Sequence, residues 1–236
     1  NRIGYSFDRY DRILCNSLFT KNEVSKLTSQ DVTVIYPPVD IYNGPMCHDK
    51  EKIICTVGRI TPEKNLEVMI ASFKEIHATY PDWRLVIVGS CRNTGYLQTL
   101  KSLCKNLPVE FHHNATHDKL CEVYSRASIY WHAKGFGVKE KSAYEHFGIT
   151  TVEAMSYGCI PVVINKGGQC EIVDHGENGF RWDTPGEMIH YTKLIIANNI
   201  DQNATLRSNA VKKSKRYSED IFRKEITSVI EEVTGV

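Results

Sequence analysis

The chain has 236 residues, 42% of them hydrophobic and 24% charged, and its formal net charge is +1. These values are typical of one large globular domain, or of one domain and a fragment of another. They exclude a bulk affinity for nucleic acid or other polyanions. A transmembrane helix is excluded because no apolar run reaches about 18 residues, and no signal peptide is recognisable. The chain starts at Asn1 rather than Met, which indicates an excised domain or a processed fragment.

The first 50 residues predict a short strand–helix–strand unit followed by a linker. Residues 8–15 and 32–36 have the pattern of strands, and residues 21–27 that of a helix with Thr20 as its N-cap. A Pro-Pro pair then stops regular structure, and the polar segment to about residue 50 is typical of a linker.

From residue 52 onward, apolar β-branched runs alternate with amphipathic patterns. We expect strands at residues 53–57, 85–88, 109–112, 129–132, 160–164 and 179–182. We expect helices at residues 65–77, 96–107, 117–125, 150–158, 187–197, 204–217 and 219–233. Such alternation predicts an α/β fold with a doubly wound parallel sheet, Rossmann-like, whose ligands bind at the carboxyl ends of the strands.

One stretch, EHFGITTVEAMSYGCIPVVINKGG, is the most informative part of the chain. Glu145 precedes a Phe147-Gly148 corner, and the short helix pattern that follows carries Glu153 and ends at Gly158. A loop that leads into a helix N-terminus offers free N–H groups and a positive dipole end, which suit a phosphate. Carboxylates accept hydrogen bonds from sugar hydroxyls. The stretch therefore predicts a site for a phosphorylated, hydroxyl-rich ligand, with a carboxylate on each side of the anion pocket.

A simpler interpretation makes Glu153 purely structural. Thr150 and Glu153 have the spacing of a capping box, in which the glutamate turns back onto its own helix.

A second candidate element follows the strand at residues 53–57. Gly58 permits a turn, and Arg59 and Lys64 then leave the carboxyl end of that strand, where a diphosphate would lie. The alternative is a solvated loop.

Together these motifs resemble the signature of retaining glycosyltransferases of family 4. The resemblance rests on Glu145 and Glu153 with seven residues between them, on the Phe-Gly pair inside that interval, and on the Gly-x-x-Pro-Val-Val run that follows. It implies the C-terminal, donor-binding half of the GT-B architecture.

The resemblance implies a donor site that is spread over the chain. Arg59 and Lys64 would bind the diphosphate, Glu145 would be the catalytic residue that touches the donor sugar, and Glu153 would bind the ribose. The remaining donor-binding positions would act through the backbone: Gly148, Ile149 and Thr150 at a helix N-terminus, and Ala115 beside the base. Gly167 and Gly168 would lie near the sugar, although such glycines also serve turns.

The same resemblance implies the domain division, the partners and the location. Residues 1–50 would be the end of an acceptor domain and its linker, residues 51–218 the nucleotide-sugar domain, and residues 219–236 a C-terminal helix. The partners would be a nucleotide-sugar donor and a carbohydrate or lipid-linked acceptor, with no cofactor. We expect a cytoplasmic protein, and the basic run at residues 212–216 is either a contact with lipid headgroups or a solvated helix face.

The eight cysteines support a reduced, cytosolic protein, because they are scattered and include no Cys-x-x-Cys pair. His112, His113, His117 and Cys121 invite a zinc interpretation, but they lack the paired spacing of a tetrahedral site. We therefore expect no metal.

Other functions remain open. One is a nucleotide-sugar-binding module that is inactive alone, and another is a sugar-nucleotide epimerase or a phosphorylase-like relative with the same architecture. Dehydrogenase and NTPase functions are disfavoured because neither the Gly-x-Gly-x-x-Gly fingerprint nor the Walker pattern follows any predicted strand.

Overall fold

The computed structural model describes residues 7–45, 50–198 and 200–235. Its first part is a small unit, residues 7–34, which we call the amino-terminal unit. It comprises β1 (Ile13–Cys15), α1 (Leu18–Val24) and β2 (Val32–Val34), with β1 and β2 paired in parallel.

The larger part contains one sheet and helices on both of its faces. Its strands are β3 (Glu51–Val57), β4 (Arg84–Gly89), β5 (Val109–His113), β6 (Ala127–His132), β7 (Ile160–Ile164) and β8 (Phe180–Trp182). Its helices are α2 (Leu66–Thr79), α3 (Thr94–Leu103), α4 (His117–Arg126), α5 (Ile149–Ser156), α6 (Gln169–Ile172), α7 (Pro185–Ala197), α8 (Ile200–Ser214) and α9 (Glu219–Thr234).

The strand order is β5-β4-β3-β6-β7-β8, and all neighbours in this sheet are parallel. The chain winds outward from β3 to β5, returns to the centre, and then winds outward from β6 to β8. The prediction of a doubly wound parallel sheet is therefore confirmed. The winding direction changes between β3 and β6, and the crevice at such a point is where ligands of this fold class bind.

The core explains why the central strands are almost continuously apolar. Along β3, Ile54 packs into the cluster on one face, whereas Ile53, Cys55 and Val57 pack into the cluster on the other. Both faces are covered by helices, so neither set of alternating side chains meets water. This burial also accounts for the thiol of Cys55 as a small core group.

The predicted start of α1 is wrong by a few residues. The N-cap is Ser17, whose Oγ accepts a hydrogen bond of 3.0 Å from the Thr20 backbone N–H. Thr20 itself lies inside the helix. The strand predicted at residues 8–15 is also shorter, since only Ile13–Cys15 is extended and paired.

The predicted linker is partly packed rather than free. Val39 and Ile41 are buried in the core cluster beside α5, and the Tyr42 ring stacks on Tyr157 at 4.3 Å. Residues 46–49, including Cys47, lie outside the described residues. The division into an acceptor-domain remnant, a nucleotide-sugar domain and a C-terminal helix stays a prediction.

Candidate functional site

The loop after β3 brings Arg59 and Lys64 to the crevice between β3 and β6. A 3₁₀ turn over Pro62–Lys64 places the Lys64 side chain inward, where it is 17% exposed. Arg59 points outward, with its side chain 69% exposed and paired with Glu63 at 3.2 Å. The two predicted cations are thus near each other along the chain but differ in burial.

Asn65 joins this loop to the loop after β6. It adopts a left-handed conformation (φ 54°), and its side-chain amide donates to the backbone oxygen of Ala133 at 3.0 Å. A longer bond of 3.4 Å reaches the oxygen of Phe136. The two loops that border the crevice are therefore held together by one side chain.

Glu145 lies at the centre of a cluster of basic side chains. Its Oε2 accepts a hydrogen bond of 2.9 Å from Lys64 Nζ and lies 3.4 Å from His132 Nε2. Lys134 Nζ lies 3.8 Å from the other carboxylate oxygen, Oε1. These groups come from three elements, namely the β3 loop, the end of β6 and the corner before α5.

This cluster keeps Glu145 ionised. Burial alone would raise the pKa of Glu145, but the hydrogen bond from His132 and the charge of Lys64 outweigh burial and hold that pKa well below its usual range. Burial lowers the pKa of His132, so that imidazole is neutral near pH 7 and donates from Nε2. Glu145 is therefore a hydrogen-bond acceptor and not a proton donor.

The N-terminus of α5 faces the same edge of the sheet. Its N-cap is Gly148, which offers no side chain to the first N–H groups of the helix. The Thr150 hydroxyl is 2.7 Å from the Tyr130 hydroxyl, and Thr151 Oγ1 donates to Gln169 Oε1 at 2.9 Å. Buried polar groups thus hold the first turn in place. The Thr151 and Val152 N–H groups donate to the Gly148 oxygen, so among the described contacts the N–H groups before them are the donors left for an anion.

Two glycines shape the corner that carries Glu145. A Cβ on Gly168 would lie 2.4 Å from the Phe147 Cα, and the Gly168 N–H donates to the Glu145 backbone oxygen at 2.8 Å. Gly167 adopts a φ of +61°. The chain at Gly167 and Gly168 therefore packs so closely against the backbone of the Glu145 corner that only residues without a side chain fit there.

Glu153 does not form the capping box that its spacing allows. Its Oε2 accepts a hydrogen bond of 3.0 Å from the hydroxyl of Tyr124, a buried residue of α4. Burial raises the pKa of Glu153, and the Tyr124 hydrogen bond opposes that rise. The carboxylate is aligned by another helix rather than by its own, which favours a binding role.

The other expected donor-binding residues are Ala115 and Ile149, and the residues weighed as zinc ligands include His117 and Cys121. Ala115 follows β5 and packs partly buried against the core cluster of α4 and α5. Ile149, the first residue of α5, is 45% exposed. His117 Nε2 and Cys121 Sγ are 3.3 Å apart. The described residues contain no group of three or more His, Cys, Asp or Glu side chains placed to hold a metal ion.

The basic run near the end of α8 is not uniformly solvated. Lys213 Nζ pairs with Asp174 at 2.8 Å, and its side chain is 15% exposed. Ser214 is fully buried. No helix in the described part of the chain combines the length and hydropathy needed to cross a bilayer.

Sequence reasoning missed four residues of this arrangement: His132, Lys134, Tyr124 and Gln169. His132 ends β6, and Lys134 begins the connection from β6 to α5 that also carries Glu145, so their closeness to Glu145 depends on how that connection folds back. Gln169 is completely buried, and its Nε2 has no hydrogen-bond partner among the described residues. The position of Lys134 at the carboxyl end of a predicted strand was a usable signal.

One carboxylate ties the amino-terminal unit to this region. Glu171, on α6, accepts hydrogen bonds of 2.8 Å from the backbone N–H groups of Leu18 and Phe19, and one of 3.0 Å from the Tyr36 hydroxyl. The Phe19 ring also stacks near Tyr144 at 6.0 Å. The amino-terminal unit therefore contacts the segment that supports the Glu145 corner.

The fold and the crevice define a Rossmann-like α/β domain of the kind found in GT-B glycosyltransferases. A sequence profile described as "Glycosyl transferases group 1" matches residues 46–216. The chain therefore belongs to the group 1 glycosyl transferase family.

Similar proteins include enzymes named GDP-Man:Man(3)GlcNAc(2)-PP-Dol alpha-1,2-mannosyltransferase. The one from Dictyostelium discoideum is 28% identical over 92% of this chain and 46% of its own length. The one from Xenopus tropicalis is 30% identical over 90% of this chain and 46% of its own length. The chain thus spans slightly less than half of these relatives.

Solved structures share the fold at lower sequence identity. Anabaena Alr3699/HepE in complex with UDP and glucose aligns with a TM-score of 0.79 and 20% identity, over 94% of this chain and 63% of that one. The pneumococcal O-GlcNAc transferase GtfA in complex with UDP and GlcNAc aligns with a TM-score of 0.76 and 17% identity, over 96% of this chain and 46% of that one.

Proposed function

We propose that this chain binds the nucleoside-diphosphate sugar of a retaining, metal-independent glycosyltransferase. The observation that carries the proposal is the convergence of Lys64, Glu145 and the uncapped N-terminus of α5 in the crevice between β3 and β6. A cation and a helix dipole attract a diphosphate, and an ionised carboxylate beside them accepts hydrogen bonds from a sugar.

The chemistry of transfer places negative charge on the departing nucleoside diphosphate. Lys64, Arg59 and the N–H groups of Gly148, Ile149 and Thr150 would stabilise that charge at the diphosphate, which is the task that a divalent metal performs elsewhere. Glu145, held ionised by its basic neighbours, would orient the donor sugar through its hydroxyls. Glu153, aligned by Tyr124, would accept hydrogen bonds from the ribose, and the backbone near Ala115 would contact the base.

The names of the relatives favour GDP-mannose as the donor and a lipid-linked glycan as the acceptor. Two structurally similar proteins hold UDP, so UDP and UDP-sugars are the ligands against which GDP and GDP-mannose should be compared. The chain covers 46% of the first of these relatives, so we propose the acceptor only for a protein of that relative's full length. A contact of the basic run with lipid headgroups fits a lipid-linked acceptor.

Calorimetric titration of the 236-residue chain with GDP-mannose, UDP-glucose, GDP and UDP tests the proposal. We expect one of the nucleotides and its sugar derivative to bind equally well in EDTA and in magnesium. Failure of all four to bind, or binding only with a metal, contradicts it.

The stereochemical part needs a chain that includes an acceptor-binding domain. We expect the transferred sugar to keep the anomeric configuration of the donor, as read from NMR coupling constants. We also expect the isolated chain to bind donor with little transfer. Epimerised sugar nucleotide as the product would favour the epimerase alternative.

A further inference from the structure

We propose that Lys134 is a third cation of the donor site and binds the diphosphate together with Lys64. The proposal rests on the function proposed above and names a residue outside the motifs that led to it. Lys134 directly follows the carboxyl end of β6, whose neighbour in the sheet is β3. It therefore meets the Arg59–Lys64 loop across the crevice without being close to it in sequence.

The geometry brackets the Glu145 carboxylate between two ammonium groups. Lys64 Nζ is 2.9 Å from Oε2, and Lys134 Nζ is 3.8 Å from Oε1. Both lysine side chains are largely withdrawn from solvent, at 17% and 19% exposure. Their ammonium groups therefore lie against different oxygens of one carboxylate.

The charges of this cluster do not cancel. Within the described part of the chain, Glu145 is the one carboxylate within ion-pairing distance of either lysine. His132 is neutral, because burial lowers its pKa. One positive charge thus remains in a largely buried place, and a charge withdrawn from water is favourable only when an opposite charge meets it. A diphosphate supplies that charge.

The backbone around Lys134 is fixed in advance of any ligand. The Asn65 amide donates to the Ala133 oxygen at 3.0 Å, and Lys166 Nζ donates to the Gly135 oxygen at 3.0 Å. The residues on both sides of Lys134 are therefore anchored. A side chain on such a support needs little reorganisation to bind an anion, which is the arrangement that favours affinity.

The test compares three substitutions in the 236-residue chain. Lys134→Met removes the proposed cation, Lys64→Met serves as the reference loss, and Lys139→Met is the matched control, since Lys139 is an exposed lysine of the same loop. Binding of GDP, UDP, GMP and guanosine is measured by calorimetry at low and high salt, and folding by thermal melts. Lys134→Arg and Lys134→Gln extend the comparison if the methionine variant does not fold.

We expect Lys134→Met to weaken the binding of the nucleoside diphosphate by about tenfold or more, as for the loss of a charge-assisted hydrogen bond. The nucleoside should bind within about twofold of the unsubstituted chain, and the salt dependence should become shallower. Lys139→Met should change neither, and Lys134→Arg should keep most of the affinity.

The outcomes separate this proposal from the function on which it rests. Unchanged diphosphate binding in Lys134→Met beside a loss in Lys64→Met overturns the role of Lys134 and leaves the donor site standing. So does an equal loss in Lys134→Arg and Lys134→Met. Both the donor-site proposal and the Lys134 proposal fail if the unsubstituted chain binds none of the nucleotides. Both also fail if the Lys64→Met variant binds the nucleotides as tightly as the unsubstituted chain.

Discussion

Lys64 is shared between Glu145 and any anion that enters the crevice. Replacing it by alanine should weaken nucleoside-diphosphate binding by about 1.5–3 kcal/mol, the range for a hydrogen bond to a charged group. Arg59→Ala should cost less, because that guanidinium is 69% exposed in the free chain and solvent screens it. Calorimetry with the diphosphate and with the free nucleoside checks both. An equal loss for the nucleoside would remove Lys64 from the diphosphate site.

The two glutamates should respond differently to replacement by glutamine. Glu153→Gln keeps an acceptor for Tyr124 but puts a donor where a ribose hydroxyl donates, so nucleotide affinity should fall by about 1–3 kcal/mol. The melting temperature should stay nearly constant, because Glu153 does not cap its helix. Unchanged nucleotide affinity would return Glu153 to a structural role.

Glu145→Gln should separate the diphosphate from the sugar. It removes the negative charge that competes for Lys64, so binding of the nucleoside diphosphate should be equal or tighter. Binding of the sugar nucleotide should weaken, because the carboxylate no longer accepts hydrogen bonds from the sugar. Parallel titrations with GDP and GDP-mannose, or with UDP and UDP-glucose, compare the two. Equal losses for both ligands would contradict this division of roles.

At the scale of elements, the start of α5 depends on a single glycine. Gly148 has a φ of +128°, and a Cβ there would lie 2.3 Å from Gln169 Nε2. Gly148→Ala should therefore destabilise the fold by about 1–3 kcal/mol through backbone strain and displace the first turn of the helix. Gly186→Ala is the matched control, since the nearest atom to its Cβ is 3.9 Å away. Similar denaturation midpoints for the two variants would rule out this strain.

The elements were largely predictable because periodicity is a local signal. The sequence predicts the bounds of β3, β7 and α4 to within two residues. A strand buried on both faces is apolar throughout, and a helix buried on one face is apolar at every third or fourth residue, so burial is visible in the sequence itself. The start of α1 was misplaced, because Ser17 and Thr20 are both good caps and the choice depends on local geometry.

The site was only partly predictable, for a different reason. Arg59, Lys64 and the α5 corner lie in motifs whose spacing along the chain carries information. The Lys134 contact depends on how the connection from β6 to α5 folds back, and the Tyr124 contact depends on which helices become neighbours. Spacing along the chain expresses neither. The capping-box alternative for Glu153 shows the same limit, because a buried hydroxyl from α4 decides where that carboxylate points.

For the whole molecule, the Glu145 cluster should make stability depend on pH. The pKa of His132 is lowered by folding, so its contribution is complete above its unfolded value of about 6.5 and is lost as pH falls below it. Glu145, whose folded pKa is also lowered, adds a further loss below about 4.3. Urea denaturation from pH 7.5 to about 4 should therefore show falling stability.

The His132→Asn variant isolates the histidine, because asparagine keeps a donor near Glu145 and does not titrate. Its stability should be flatter than that of the unsubstituted chain between about pH 6.5 and 5. An identical slope in this range would mean that other histidines cause the dependence.

The contact of Glu171 with the amino-terminal unit has a consequence for hydrogen exchange. The backbone N–H groups of Leu18 and Phe19 donate to the Glu171 carboxylate on α6. This helix directly follows Gly168, whose N–H donates to the Glu145 backbone oxygen. The exchange rates of the Leu18 and Phe19 amides in deuterated solvent therefore report whether that segment stays in place. Glu171→Ala should speed exchange at these two amides and leave the buried amides of β4 unchanged. A nucleotide that steadies the Glu145 corner should slow them, so two amides of the amino-terminal unit register the occupancy of the crevice.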